Sequence, residues 1–159
     1  MSIPLHTLSL PGGMLERGFW LYVWDIQVGG ERLLYVGRTG DEGNPQASAP
    51  YDRFGQHLGR NKNANALRRN LLARGIDLPQ VDHYDFHFVG PIFPETADME
   101  SHIPYRDIVA ALEKKLADCL SEAGYCVLNK ISCRRPLQQE YWLKIRDAFE
   151  QVFPELKDF

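Results

Sequence analysis

The chain contains few cysteines, and none is arranged for disulfide or redox chemistry. Its 159 residues include three, Cys119, Cys126 and Cys133, without a C-x-x-C pair. An odd and scattered set of this kind argues against a disulfide framework and against a zinc site of the usual spacing. We therefore expect reduced thiols in an intracellular, cytoplasmic protein.

Long apolar runs are also missing. The first residues carry no basic region, and the apolar stretch Leu5–Leu10 is interrupted by His6, Thr7 and Ser9. A membrane-spanning helix needs about 20 consecutive apolar residues. We expect neither a signal peptide nor a membrane partner.

The chain has no overall excess of positive charge, since its formal net charge is −3. The basic residues are instead concentrated between positions 53 and 76, a stretch without a single acid. These residues are Arg53, Arg60, Lys62, Arg68, Arg69 and Arg74. A basic stripe on a mildly acidic body is typical of small nucleic-acid-binding proteins, although a solvated helix face remains the alternative.

The composition is that of one ordinary globular domain spanning residues 1–159. Hydrophobic residues make up 44% of the chain and charged residues 25%, which is enough to bury a core without cross-links. No internal repeat divides the sequence.

Periodicity predicts a small sheet flanked by helices. Alternating or apolar runs predict strands, with Gly29-Gly30 as the turn between the first two. Apolar residues at helical spacing predict helices, the last one opened by Pro136. The predicted strands are Phe19–Val28, Leu33–Gly37 and Asp82–Val89, and Tyr125–Leu128 could be a further short strand. The predicted helices are Asp52–Leu58, Asn65–Arg74, Arg106–Ala123 and 136–152. We expect an α/β (strictly α+β) fold with a mostly antiparallel three-stranded sheet.

Several residues on these elements have the side chains that phosphodiester hydrolysis requires. The reaction needs donors for the phosphate, a metal ion or other positive charge for the transition state, and a base for the water. The candidates, in chain order, are Tyr22, Tyr35, Arg53, His57, Glu113 and Asn129. Glu113 has no cation three or four residues away on its helix, so an intrahelical ion pair does not explain it.

The order of these motifs resembles the GIY-YIG endonuclease family, over about residues 19–129. The shared features are a first-strand tyrosine, a Tyr-Val-Gly tripeptide, Arg-x-x-x-His, a helical glutamate and a later asparagine. The loop Gly40–Pro50 before the arginine is similar to that of the family's restriction enzymes, which act as stand-alone domains. In two respects the sequence departs from the pattern: Trp20 replaces the first glycine, and the lysine expected after Tyr-Val-Gly is absent, with Arg38 as the nearest cation.

The resemblance implies a metal-dependent nuclease acting on DNA, most naturally duplex DNA. Arg53 is then the contact to the scissile phosphate, and Glu113 the sole protein ligand of one Mg²⁺ or Mn²⁺ ion. Tyr22 is implied as the base, with Tyr35 and His57 positioning the water or phosphate, and Asn129 supports the site from behind. The remaining DNA contacts are expected from Arg38, Arg60, Lys62, Arg68 and Arg69.

Other functions stay open. The chain could be a binding module for nucleic acid or protein that has lost cleavage, or a nuclease directed at RNA or at a particular DNA structure. His83, Asp85 and His87 share one strand face and could bind a transition metal instead. The asparagines between Asn61 and Asn65 could read bases, or could only cap a helix. The chain could be a monomer or a homodimer.

Overall fold

The computed structural model describes residues 1–61 and 65–159, which form a mixed sheet with helices on both faces. The strands are β1 Phe19–Val28, β2 Glu31–Arg38, β3 His83–Phe93 and β4 Cys126–Val127. The α-helices are α1 Pro50–Leu58, α2 Ala66–Ala73, α3 Met99–Glu122 and α4 Gln139–Glu150. Short 3₁₀ helices occupy Gly12–Leu15, Leu78–Gln80 and Pro154–Asp158.

The sheet has the order β3-β1-β2-β4, so that β3 forms one of its edges. Antiparallel pairing joins β1 to both β2 and β3, whereas β4 is parallel to β2. The prediction of a three-stranded sheet is therefore wrong, because the sheet has four strands. The additional strand is only two residues long and lies within Tyr125–Leu128, the further candidate strand that is not counted in the expected sheet.

Both faces of β1 are buried, which explains its nearly continuous hydrophobic sequence. Leu21 and Val23 pack with the core formed by α3 and α4 on one face. Tyr22 and Trp24 pack on the opposite face, with residues of α2 such as Leu67. Because side chains alternate along a strand, this central strand places its even-numbered residues on the face covered by α1 and α2.

Two predicted helix boundaries are wrong. Helix α3 begins at Met99, well before Arg106, and contains Pro104. The side chain of Asp98 caps this start by accepting a hydrogen bond from the Ser101 amide (2.8 Å), and Pro104 removes one backbone donor in the second turn.

The last helix, predicted over residues 136–152, is α4 and covers only Gln139–Glu150. Its buried face is Trp142, Ile145 and Phe149, while Val152, expected on that face, lies outside the helix and is exposed. Pro136 does not open the helix but precedes it by three residues. Within the two described stretches of chain, no helix is both long and apolar enough to cross a bilayer.

Candidate active site

A buried phenol–imidazole pair lies between β1 and α1. The hydroxyl group of Tyr22 is 2.6 Å from Nε2 of His57, and both side chains are almost fully buried. Tyr35 on β2 contacts the same imidazole, with ring centroids 5.2 Å apart. The structure thus brings together three of the residues singled out in the sequence, because adjacent antiparallel strands place the two tyrosines on the face that α1 covers.

Both members of this pair are neutral at neutral pH. Burial, together with the nearby Arg53 charge, lowers the pKa of His57 to about 4. Burial raises the pKa of Tyr22 well above its ordinary value, although Arg53 acts in the opposite direction. The phenol therefore keeps its proton and can donate it to the unprotonated Nε2.

Arg53 lies one helical turn before His57 and is only 9% exposed. Its Nη1 donates to Oε1 of Gln56 (2.9 Å), and its Nη2 donates to a carboxylate oxygen of Asp41. Its Nε is buried and has no hydrogen-bond partner among the described residues. A buried donor without an acceptor is costly, so this guanidinium group is suited to receive an anion.

Glu113 on α3 forms an ion pair with Arg38, at the end of β2. Its Oε2 accepts a hydrogen bond from Nε of Arg38 (2.9 Å). Burial raises the pKa of Glu113 to about 7, and outweighs the opposing effect of the Arg38 charge. Nη1 of Arg38 is buried without a partner in the described parts of the chain, as Nε of Arg53 is.

Glu113 is suited to bind a metal ion, but as a single protein ligand. Its Oε1 accepts no hydrogen bond from the residues that the structure describes, and a cation beside it would favour the ionised carboxylate. In those residues there is no group of three or more His, Cys, Asp or Glu side chains placed to hold a metal. This geometry suits an ion that keeps most of its water ligands, as Mg²⁺ does.

Electrostatic interactions connect Glu113 with the tyrosines and Arg53. The pKa of Tyr35 is raised to about 12 by burial and by the negative charges of Glu113 and Asp41, against the positive charges of Arg53 and Arg69. Arg53 likewise lowers the pKa of Glu113. The predicted catalytic residues therefore belong to one electrostatic environment, although they come from four different elements.

Glycine and asparagine support the two tyrosines. The ring of Tyr22 lies so close to Gly37 that a Cβ atom there would be 2.3 Å from the ring. The side-chain amide of Asn129 bonds to β2, accepting from the Val36 amide (3.0 Å) and donating to the Val36 carbonyl (2.7 Å). Asn129 thus fixes the strand next to Tyr35, as expected for a residue behind the site.

Trp20 is accommodated in the sheet without steric conflict. It is 5% exposed and donates from Nε1 to the Glu16 carbonyl (3.1 Å). The indole ring lies against Gly90 on β3, where a Cβ atom would be 2.7 Å from it. The space that the tryptophan needs is provided by a glycine on the neighbouring strand.

Those of the expected DNA-binding cations that the structure describes have different environments. Arg60 and Arg69 are exposed, and the charge of Arg69 reaches Tyr35. Arg68 is half-buried and donates from Nη1 to the Gly59 carbonyl (3.1 Å). Lys62 lies outside the described residues.

Asn65 is a helix cap rather than a base-reading residue. Its buried side chain accepts a hydrogen bond from the Arg68 amide (3.0 Å) at the start of α2. Of the rival metal ligands, His83 bonds to Asp85 (3.2 Å), whereas His87 faces Asp25 (3.7 Å).

Sequence reasoning missed Asp41 and Gln56, which hold Arg53. Gln56 is three residues from Arg53 on one helix, so helical spacing could have indicated it. Asp41 lies in a loop, and nothing in the sequence connects it with Arg53. Compared with protein-family models, curated proteins and solved structures, the chain matches none of them.

Proposed function

We propose that the chain is a metal-dependent endonuclease that hydrolyses phosphodiester bonds in duplex DNA, with a GIY-YIG-like core. The observation that supports this most strongly is a pair of buried guanidinium donors, Nε of Arg53 and Nη1 of Arg38, which have no acceptor among the described residues. They lie in one electrostatic environment with a buried carboxylate and a phenol–imidazole pair. This set matches the needs of phosphodiester hydrolysis in a site that excludes much of the solvent.

The phosphate takes the place that Asp41 now occupies. A phosphate oxygen accepts from Nη2 of Arg53 once Asp41 is displaced, and a second oxygen accepts from the unpaired Nε. Bidentate, charge-assisted contacts of this type are the strong ones for phosphate. Asp41 is partly exposed, so it can leave Arg53 for solvent at modest cost.

Tyr22 and His57 accept the proton of the attacking water as a relay. The phenolic oxygen takes a proton from the water while the phenol passes its own proton to Nε2 of His57. The raised pKa of Tyr22 keeps the phenol protonated at neutral pH, so it can take the proton of the water only by passing its own proton on, and the unprotonated imidazole of His57 is the acceptor within hydrogen-bond distance. Binding of the phosphate offsets the Arg53 charge, which makes protonation of His57 easier.

Glu113 would hold the one Mg²⁺ or Mn²⁺ ion through Oε1, and the ion would supply positive charge to the transition state and to the leaving oxygen. Arg38 keeps Oε2 in place through its 2.9 Å hydrogen bond. Arg60 and Arg69 contact the DNA backbone at the rim, so that affinity falls steeply with added salt.

Cleavage of supercoiled plasmid in the presence of Mg²⁺ tests this proposal. We expect nicked or linear product with Mg²⁺, none with EDTA, and less product from an RNA of matched length. Cleavage of the RNA alone would move the substrate class to RNA. Binding of DNA without cleavage of any substrate by the folded chain would contradict the proposal and support the binding module.

A further inference from the structure

The outer edge of the sheet carries an unfilled apolar groove. It runs along β3, has a volume of about 970 Å³, and includes residues from Asp82 to Gly90. Its walls include Trp20, Phe54 and Phe86 on one side of the strand, and the end of α4 with Val152 on the other. Because β3 is an edge strand, alternate backbone N–H and C=O groups along it have no strand partner.

The segment before β1 exposes apolar side chains to solvent. Ile3 and Leu5 are 93% and 91% exposed, and Leu8 is 75% exposed. In the described chain, residues 1 to 10 have no helix or strand structure, and none of them forms a hydrogen bond with another part of it. Exposed aliphatic side chains clustered on an extended segment mark a contact surface.

We propose that two copies of the chain form a symmetric dimer in which the arm, residues 3–10 of each copy, adds as an outer strand to the β3 edge of the other. The lengths agree, since eight extended residues span about 27 Å and the nine residues of the groove about 30 Å. The arm carries no acid, and so brings no like charge against Glu16, Asp82 and Asp85 at the rim of the groove.

The positions of the apolar side chains along the arm also fit the groove. Ile3 and Leu5 point to one side of an extended strand, and Leu8 and Leu10 to the other. The groove encloses the β3 edge from both sheet faces, so each side of the arm meets apolar atoms. Pro4 lacks an N–H group, which an outermost strand tolerates.

A second copy is favoured over the arm of the same chain because of where that arm goes. Its own Leu8 and Leu10 line the groove, but Ile3 and Leu5 extend into solvent. In the dimer, Leu8 and Leu10 of each copy leave their own groove for that of the other copy, where Ile3 and Leu5 are buried as well. Exchange of arms between two copies is an isologous contact. It uses both arms and both grooves, so no further copy can add in the same way.

Sedimentation equilibrium of the full chain tests the dimer. We expect twice the 18.2 kDa mass of one chain. Leu5→Asp is expected to weaken the dimer at least about tenfold, because a charge replaces a buried leucine in each arm. Ser2→Asp adds the same charge outside the docking segment and should leave the dimer intact. A monomer at every concentration, or a dimer unaffected by Leu5→Asp, would overturn the proposal.

Hydrogen exchange of the β3 amides that point away from β1 distinguishes the second copy from the arm of the same chain. We expect protection of these outer-edge amides that falls on dilution and is absent in Leu5→Asp. Protection that is independent of concentration but lost in Leu5→Asp would mean that the chain's own arm fills the groove, and would overturn the dimer. Neither measurement depends on nuclease activity.

Discussion

At the scale of residues, the resting site keeps its charged groups paired within the protein. Arg53 is held by Asp41 and Gln56, and Glu113 is held by Arg38. A phosphate and a metal ion must therefore compete with these internal partners. The cost of that competition belongs to individual side chains and can be measured by single substitutions.

Replacing Asp41 by Asn should tighten DNA binding, about three- to tenfold, because the phosphate then displaces a neutral amide rather than a carboxylate that pairs with Arg53. Fluorescence anisotropy at fixed salt measures the change. Asp52→Asn is the control, because it removes the same charge from the residue next to Arg53. Asp52 itself forms only a weak ion pair, with Arg17 at 3.9 Å. Equal gains in both variants would mean that only net charge matters.

Gly37→Ala should lower the cleavage rate about 100-fold, because the added methyl group occupies the position of the Tyr22 ring and moves its hydroxyl from His57. Plasmid cleavage measures the rate, and thermal unfolding shows that the chain still folds. Gly43→Ala is the matched control, since a Cβ atom at Gly43 meets nothing within 4 Å. An unchanged rate in Gly37→Ala would rule out a role for the Tyr22–His57 contact.

At the scale of elements, the helices and strands with a regular burial pattern can be predicted from the sequence. The β1–β2 hairpin, with its glycine turn, and α2, with its asparagine cap, lie where periodicity places them within a few residues. The start of α3 is not predicted, because a proline such as Pro104 is more common in a loop than inside a helix. Strand β4 lies within the candidate strand Tyr125–Leu128, but two residues carry no period, and only the contact with β2 defines its bounds.

Asn129→Ala should destabilise the chain by about 2 kcal/mol, since it leaves the Val36 amide and carbonyl without their side-chain partner. Chemical denaturation measures the free energy of unfolding. The exposed neighbour Lys130 provides the control, and Lys130→Ala should change that free energy by less than about 0.5 kcal/mol. A loss below that limit in Asn129→Ala would mean that water replaces the amide and that Asn129 does not hold β2.

At the scale of the whole molecule, the site joins elements distant in sequence. Glu113 and Arg38 are 75 positions apart, and Arg53 meets Asp41 through a loop without regular structure. The residue types and their order can be read from the sequence, because the proposed chemistry needs particular side chains. The pairing of those side chains cannot, because it depends on how α3 crosses the sheet.

The affinity for Mg²⁺ should rise with pH up to about 7 and then level off. The pKa of Glu113 is raised to about 7 from an ordinary 4.5, so below pH 7 a proton competes with the metal, and each pH unit costs about tenfold in affinity. His57 and Tyr22 titrate outside this range, since their pKa values are shifted to about 4 and well above 10. Calorimetric titration that shows the same affinity from pH 5 to 8 would contradict Glu113 as the ligand.

The most direct measurement is plasmid cleavage by Glu113→Gln beside Glu122→Gln, with Mg²⁺ present. Both substitutions remove one carboxylate from α3, but Glu122 is exposed at the end of the helix, away from the site. A metal-dependent nuclease predicts that Glu113→Gln loses at least about 100-fold in rate while Glu122→Gln cleaves like the wild type. Cleavage by a folded Glu113→Gln chain at the wild-type rate would contradict it.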